Sequence, residues 1–168
     1  MKKIMMVVLV LCLSMGLMAM AMASAETSTL SYMSFELPLP AAGLKVLVPF
    51  DMDSYEGDEE AYDYGFRFNC YTDTFDLTVY VHESREDSLE AYAAFYAQRH
   101  TMDAQADRVN GFAVQRLTSA DRPFDVTYLV TAPDQVSPSV VYDLAFACDG
   151  EADAALAQEI IGTLALYE

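Results

Sequence analysis

The sequence predicts an α+β fold, an antiparallel sheet of about seven strands packed by two helices in the order ββββ-α-βββ-α. Short runs in which apolar and polar residues alternate are typical of half-buried strands. Two longer stretches change to apolar spacings of three and four residues, which indicate amphipathic helices. Proline, Asn-Gly and Asp-Gly breaks separate these segments along the chain.

Four strands are predicted before the first helix, at residues 29–37, 44–48, 62–71 and 75–83. Prolines at positions 38 and 40 end the first strand, and Pro49 stops the second. Residues 72–74 (Thr-Asp-Thr) form a link short enough for a hairpin between the third and fourth strands. In the fourth strand apolar residues alternate with semi-polar ones, so one face belongs to the core (Leu77, Val79, Val81) and the other does not (Thr78, Tyr80, His82).

The first helix is predicted from Leu89 to about Gln105, with Asp87 and Glu90 as an Asp-type capping box. Its apolar stripe contains Leu89, Tyr92, Ala93, Tyr96 and His100. Three further strands follow at 112–117, 125–131 and 140–148, and the first of them comes after the Asn110-Gly111 turn signal. A closing helix is predicted over 153–167, with Leu156, Ile160, Leu164 and Tyr167 on one stripe.

The first 25 residues have the pattern of an export signal. Lys2 and Lys3 precede an apolar run from Ile4 to Met22, and Ala23-Ser24-Ala25 supplies the small residues of a cleavage site. We therefore expect a secreted or extracytoplasmic protein that begins at Glu26 and forms one domain over 26–168. The alternative is an uncleaved segment that anchors the chain in the membrane.

The chain without this segment is strongly acidic. Cleavage leaves seven basic and 26 acidic residues, a net charge of −19. Such a surface repels nucleic acid and anionic membranes, so neither is expected as a partner of the mature protein. A cationic partner, a divalent metal and simple solubility all remain compatible with the charge.

Two cysteines remain after cleavage, Cys70 and Cys148. Each lies on an apolar stripe of a predicted strand, so both are expected to face one core. In an exported protein such a pair is a possible disulfide, and two buried free thiols are the alternative.

The most acidic segment lies between the second and third predicted strands, and tyrosines crowd around it. Tyrosine offers an apolar body and a hydrogen-bonding tip, which suits contact with a protein, peptide or glycan. The hypothesis for the partner-contacting region therefore comprises Asp51, Asp53, Tyr55, Glu56, Asp58, Glu59, Glu60, Tyr62 and Tyr64. Oxygen ligands also suit Ca²⁺, for which Asp51, Asp53, Glu56 and Asp58 are the candidates, although the spacing fails the helix-loop-helix calcium pattern.

No residue pattern points to catalysis. His82 and His100 are the only histidines, and neither lies in a nucleophile-elbow, metal-pair or cysteine-protease context. Cys70 with a histidine is a conceivable thiol nucleophile, but an active thiolate needs an electropositive and accessible setting. No cofactor is expected, and a hydrolase is retained only as an alternative function.

The element order resembles that of the PsbP-like superfamily. The likeness rests on that order, on the strand leading into Asp87, on the turn at 109–112 (Val-Asn-Gly-Phe) and on the last helix ending at 160–164 (Ile-Ile-Gly-Thr-Leu). The resemblance implies a central antiparallel sheet between helices and an exported accessory or binding role, and it carries no functional residue onto this chain. A cystatin-like curved sheet is the alternative fold.

Together these observations predict a secreted, non-catalytic binding or accessory protein with an acidic surface. A calcium-dependent structural module of the cell envelope is the alternative from a different functional class.

Overall fold

The computed structural model describes residues 34–56, 65–133 and 139–167. The predicted export signal lies outside these residues, as do five residues of the partner-contacting hypothesis: Asp58, Glu59, Glu60, Tyr62 and Tyr64. The described elements are β1 (Ser34–Leu39), a 3-10 turn (Pro40–Ala42), β2 (Leu44–Pro49), β3 (Asp53–Glu56), β4 (Gly65–Tyr71), β5 (Phe75–Glu83), α1 (Leu89–His100), β6 (Asp103–Val109), β7 (Phe112–Thr118), β8 (Val126–Val130), β9 (Val140–Cys148), α2 (Glu151–Ile161) and β10 (Ala165–Leu166).

The strands form two antiparallel sheets. The larger has seven strands in the order β3-β4-β5-β9-β8-β7-β6, and the smaller has three in the order β1-β2-β10. The α+β class with a seven-stranded antiparallel sheet and two helices is confirmed. The membership of the large sheet is not as predicted, because β1 and β2 belong to the small sheet while β3 and β6 complete the large one.

Strand β1 runs further than the sequence predicts. It continues through Pro38, which lies opposite Lys45 of β2. A proline is tolerated there because β1 is an edge strand, whose outward side needs no donor. The predicted end of the first strand at Pro38 is therefore wrong.

Helix α1 is shorter than predicted and is followed by a strand. It begins at the N-cap Ser88, whose side chain accepts a hydrogen bond from the backbone N–H of Ala91, rather than at the predicted Asp87 cap. It ends at Thr101, which has a left-handed φ of 57°. Residues 103–109 then pair with β7 across the Asn110-Gly111 turn, so the predicted extension of the helix to Gln105 is wrong.

Helix α2 also ends early, at Ile161. The Thr163 hydroxyl donates to the carbonyl of Ile160 at 2.6 Å and accepts from the backbone N–H of Leu47 at 2.7 Å. These bonds stop the helix and tie its end to β2. The predicted continuation to Tyr167 is wrong, because residues 165–166 form β10 instead.

The large sheet lies between two unequal layers. One face packs against α2 and the small sheet, and this core holds Leu77, Val79 and Val81 of β5 as predicted. On the other face α1 covers only part of the sheet, packing mainly on β6, β7 and β8 with Tyr92, Ala93 and Ala97 buried. In the part of the chain that the structure describes, neither helix has the length and apolar character of a membrane-spanning segment.

Candidate functional site

The half of the large sheet that α1 does not cover carries three exposed tyrosines. Tyr55, Tyr71 and Tyr80 are 64%, 41% and 36% exposed and come from β3, β4 and β5. Strand pairing places all three on one face, because Tyr55 lies opposite Asn69, Asn69 opposite Thr78 and Tyr71 opposite Asp76. We call this surface the open face, formed by Asp53, Tyr55, Asn69, Tyr71, Asp76, Thr78 and Tyr80.

The polar side chains of the open face are held by one another. The Asn69 side-chain amide donates to the Asp76 carboxylate at 2.8 Å and to the Thr78 hydroxyl at 3.0 Å. The Thr78 hydroxyl in turn donates to the same carboxylate oxygen of Asp76 at 2.7 Å. The surface between the tyrosines is therefore fixed in shape before any partner arrives, which lowers the entropy cost of binding.

Strand β3 forms the outer border of the open face. All four of its residues are exposed, and its outward edge has no neighbouring strand in the described structure. Of the residues in the partner-contacting hypothesis, Asp53 and Tyr55 lie on the open face and Glu56 on the opposite side of β3, while Asp51 is exposed in the preceding turn. An edge strand offers unpaired backbone donors and acceptors to a partner.

A buried carboxylate lies where the open face meets α1. Asp143 is in the middle of β9, directly opposite Tyr80, and is only 1% exposed. Its Oδ2 accepts a hydrogen bond of 2.6 Å from the Tyr96 hydroxyl of α1. His82 Nε2 lies 3.4 Å from the same oxygen, without hydrogen-bond geometry. Aromatic rings surround the pair, since His82 lies 6.1–6.3 Å from the rings of Tyr80, Tyr92 and Tyr96.

Asp143 also affects how the neighbouring tyrosines ionise. Burial, with the charge of Asp143 as the second cause, raises the pKa of Tyr92 to about 12. Burial raises the pKa of Tyr96 as well, and the charge of Asp143 and the hydrogen bond to it act in the same direction. Both phenols therefore keep their protons far above neutral pH.

These shifts predict a loss of stability in alkali. A tyrosine ionises near pH 10 in an unfolded chain, so the folded state holds the Tyr92 proton more tightly. The stabilisation is complete below about pH 10 and is lost as the pH rises towards about 12. Chemical denaturation across this range should show a shallower loss of unfolding free energy for Tyr92→Phe than for the unaltered protein. The exposed Tyr71→Phe is the matched control, and an equal effect of both changes would contradict the prediction.

The two cysteines lie on the opposite, core-facing side of the sheet. Cys70 pairs with Leu77 and Cys148 with Phe75, so both face one core as predicted, but β5 lies between their strands. Two strand spacings are about 10 Å, beyond the Cα separation of about 7 Å that a disulfide tolerates. Both cysteines are buried and free. The structure shows the free-thiol alternative rather than the disulfide.

Neither thiol is suited to nucleophilic chemistry. Burial, followed by the charge of Asp76, raises the pKa of Cys70 to about 12. Burial, followed by the charges of Asp125, Asp153 and Asp149, raises the pKa of Cys148 to about 11. Both sulfurs are therefore protonated at neutral pH, and His82 faces the other side of the sheet from Cys70.

A thiol titration checks this assignment. The folded mature protein should react slowly with a thiol reagent at neutral pH, because both sulfurs are buried and protonated. The same protein in denaturant, without reductant, should give two thiols per chain. No titratable thiol in denaturant would mean that the cysteines are bridged after all.

The described residues bring no three histidine, cysteine or acidic side chains together in a way that could hold a metal ion. Asp51, Asp53 and Glu56 of the calcium hypothesis are exposed, and Asp58 lies outside the described residues. Of three surface clefts of about 520–610 Å³, one reaches Asp76 at the end of the open face, and none of the three is lined by His82 or His100.

The sequence alone did not reveal the Asp143 cluster. Its only signal is one acidic residue within the apolar run of β9, and its partners Tyr96 and His82 are distant in sequence. The register of β5 and β9 is needed to bring the three side chains together.

Comparisons with known proteins give similarity of fold at low identity. No protein-family model matches the sequence, and no curated protein matches it. A crystal structure from Bacteroides thetaiotaomicron VPI-5482 is similar with a TM-score of 0.48 and 13% identity, covering 81% of this chain and 48% of that one. This chain thus spans about half the length of that protein.

A second similar structure is the solution structure of cyanobacterial PsbP (CyanoP) from Synechocystis sp. PCC 6803. It has a TM-score of 0.49 and 11% identity, and the match covers 86% of this chain and 96% of that one. This second structure is a member of the family that the element order of the sequence resembles, and its similarity to this chain is weak. At these scores neither structure indicates what this chain binds.

Proposed function

We propose that the chain is a secreted, non-catalytic binding or accessory protein, and that its partner contacts the open face and the adjoining edge of β3. The observation that carries the proposal is that three tyrosines, Tyr55, Tyr71 and Tyr80, are exposed on one face of the sheet, beyond the part that α1 covers. Exposed tyrosines suit a contact surface, where the ring supplies apolar area and the hydroxyl a hydrogen-bonding tip.

The charge of this region favours a cationic partner. Asp53 and Asp76 lie on the open face, Asp51 and Glu56 flank it, and the whole chain has a net charge of −17. Complementary charge accelerates association and orients the encounter. Protein, peptide and glycan partners are compatible with a tyrosine surface, whereas nucleic acid and anionic membranes are not compatible with the charge.

Reversing charge at the border of the open face tests the proposal. The mature protein with an affinity tag should retain its partner from an envelope extract at low salt. The Asp53→Lys variant should lose most of that retained partner. Asp121→Lys makes the same change at an exposed site in the loop between β7 and β8 and should retain it. Retention of every partner by Asp53→Lys combined with Tyr55→Ala would contradict the proposal.

The expectation of export is tested on the same protein. A mass that corresponds to a chain beginning at Glu26, recovered outside the cytoplasm, is the expected result. Full-length protein in the cytosol would exclude an exported role.

A further inference from the structure

Asp143 presents a carboxylate oxygen that nothing in the described structure satisfies. The side chain is 2% exposed, and only its Oδ2 accepts a hydrogen bond, from Tyr96. Its Oδ1 is buried without a hydrogen-bond partner. A buried charge costs several kcal/mol unless a donor or an opposite charge offsets that cost. An unsatisfied oxygen of this kind therefore indicates a missing partner.

His82 does not supply that partner in the observed arrangement. Its Nε2 lies 3.4 Å from Oδ2, which is an ion-pair distance if the imidazole is protonated, but Nε2 makes no hydrogen bond and the contact does not involve Oδ1. The rest of the imidazole reaches the surface, since 32% of the side chain is exposed. The ring is thus partly exposed while its Nε2 is buried beside Asp143, and an outward movement of the ring would break no hydrogen bond of Nε2.

The surroundings of Asp143 are suited to a positive charge. The rings of Tyr80, His82, Tyr92 and Tyr96 follow one another at centroid distances of 6.1–6.3 Å. Aromatic faces attract ammonium and guanidinium groups through their negative potential. Tyr80 lies opposite Asp143 on the neighbouring strand and also belongs to the open face, so the cluster opens onto the proposed contact surface.

We infer that Asp143 receives the ammonium group of a lysine side chain of the partner, which enters beside Tyr80 and displaces the His82 ring. The inference rests on the proposed function and specifies its partner as a protein with an exposed lysine. Oδ1 accepts the incoming N–H, Tyr96 holds Oδ2 in place, and the tyrosine rings flank the charge. The site binds and carries out no reaction.

The direct test uses a small lysine probe instead of the partner. Nα-acetyl-lysine methylamide, titrated into the labelled mature protein and followed by NMR, should shift the amides around Tyr80 and Asp143 and reach saturation. The same compound acetylated at Nε lacks the charge and should not bind. Asp143→Asn should weaken binding about tenfold or more, because a charge-assisted hydrogen bond is lost. Asp121→Asn removes an exposed acid elsewhere and should leave binding unchanged.

If Asp143→Asn does not fold, Tyr80→Ala tests the inferred lysine site instead. Tyr80 is 36% exposed, so its truncation should leave the fold intact and still weaken lysine binding by removing one aromatic face. Equal binding of the two lysine compounds, unaltered binding by both variants, or no saturable shift would overturn the inference.

The lysine-probe titration and the partner-retention experiment can fail independently of each other. If the lysine probe fails while Asp53→Lys still loses the partner, the inference falls and the proposed function stands. If Asp53→Lys combined with Tyr55→Ala retains every partner while the probe binds through Asp143, the proposed contact surface fails and a lysine site remains.

Discussion

Replacing Phe146 by alanine is expected to lower the free energy of unfolding by about 3–5 kcal/mol. Phe146 is 2% exposed near the end of β9, where it packs against Phe75 at 6.0 Å and Tyr128 at 6.1 Å between ring centroids. Its removal leaves a cavity in the core beneath α2, and the strands on both sides cannot close over it. Urea unfolding of the mature protein gives the difference directly.

Phe95→Ala is the matched control for that measurement. Phe95 lies on α1 and is 50% exposed, so its loss should change the unfolding free energy by no more than about 0.5 kcal/mol. Equal effects of the two substitutions would mean that the face of the sheet assigned to the core is not buried.

Asn110→Ala is expected to lower the free energy of unfolding by about 2–4 kcal/mol. The Asn110 side-chain amide donates to the carbonyls of Gly162 at 2.7 Å and Leu164 at 2.9 Å, which joins the β6–β7 hairpin to the end of α2. Its φ of 49° is also in the left-handed region, where alanine is strained. Both contributions are lost together, and denaturant unfolding measures their sum.

Two further substitutions of Asn110 separate the contribution of its side-chain hydrogen bonds from that of the backbone strain. Asn110→Gly relieves the backbone strain but lacks the amide, so it should recover only part of the loss. Asn110→Asp places a carboxylate against two carbonyl oxygens and should be less stable than Asn110→Gly. Full stability of Asn110→Gly would show that the bonds to Gly162 and Leu164 contribute nothing.

The sequence predicted those elements whose own residues carry a clear pattern. Strand β5 follows its alternation from Phe75 to Glu83, and the predicted bounds agree with the structure. Strand β6 has no strand pattern of its own, because residues 103–107 (Asp-Ala-Gln-Ala-Asp) lack apolar alternation and have low strand propensity. The left-handed Thr101 ends the helix, and the Asn110-Gly111 turn then pairs those residues with β7. The turn signal itself marks a strand on each side of it, whereas only the residues after it alternate apolar and polar side chains.

The candidate site was predictable only in part, because pairing between strands brings together residues that are distant in the sequence. Asp53 and Tyr55 were selected from local composition, and the structure places both on the open face. Strand β3 itself has no apolar alternation, since all four residues are exposed and the strand is defined by its pairing with β4. Asp143 requires the register of β5 and β9 and the placement of α1, and none of these can be read from residues 140–148 alone.

Photo-crosslinking on the sheet surface tests most directly that the open face is where the partner binds. A photoreactive phenylalanine analogue placed at Tyr55, Tyr71 or Tyr80 should capture the same species from an envelope extract, and capture should disappear with Asp53→Lys. The same analogue at Leu166 or Tyr167, which are 56% and 46% exposed on the small sheet and its end, should capture nothing comparable. Capture from Leu166 and Tyr167 but not from the three tyrosine positions would contradict the assignment of the contact surface.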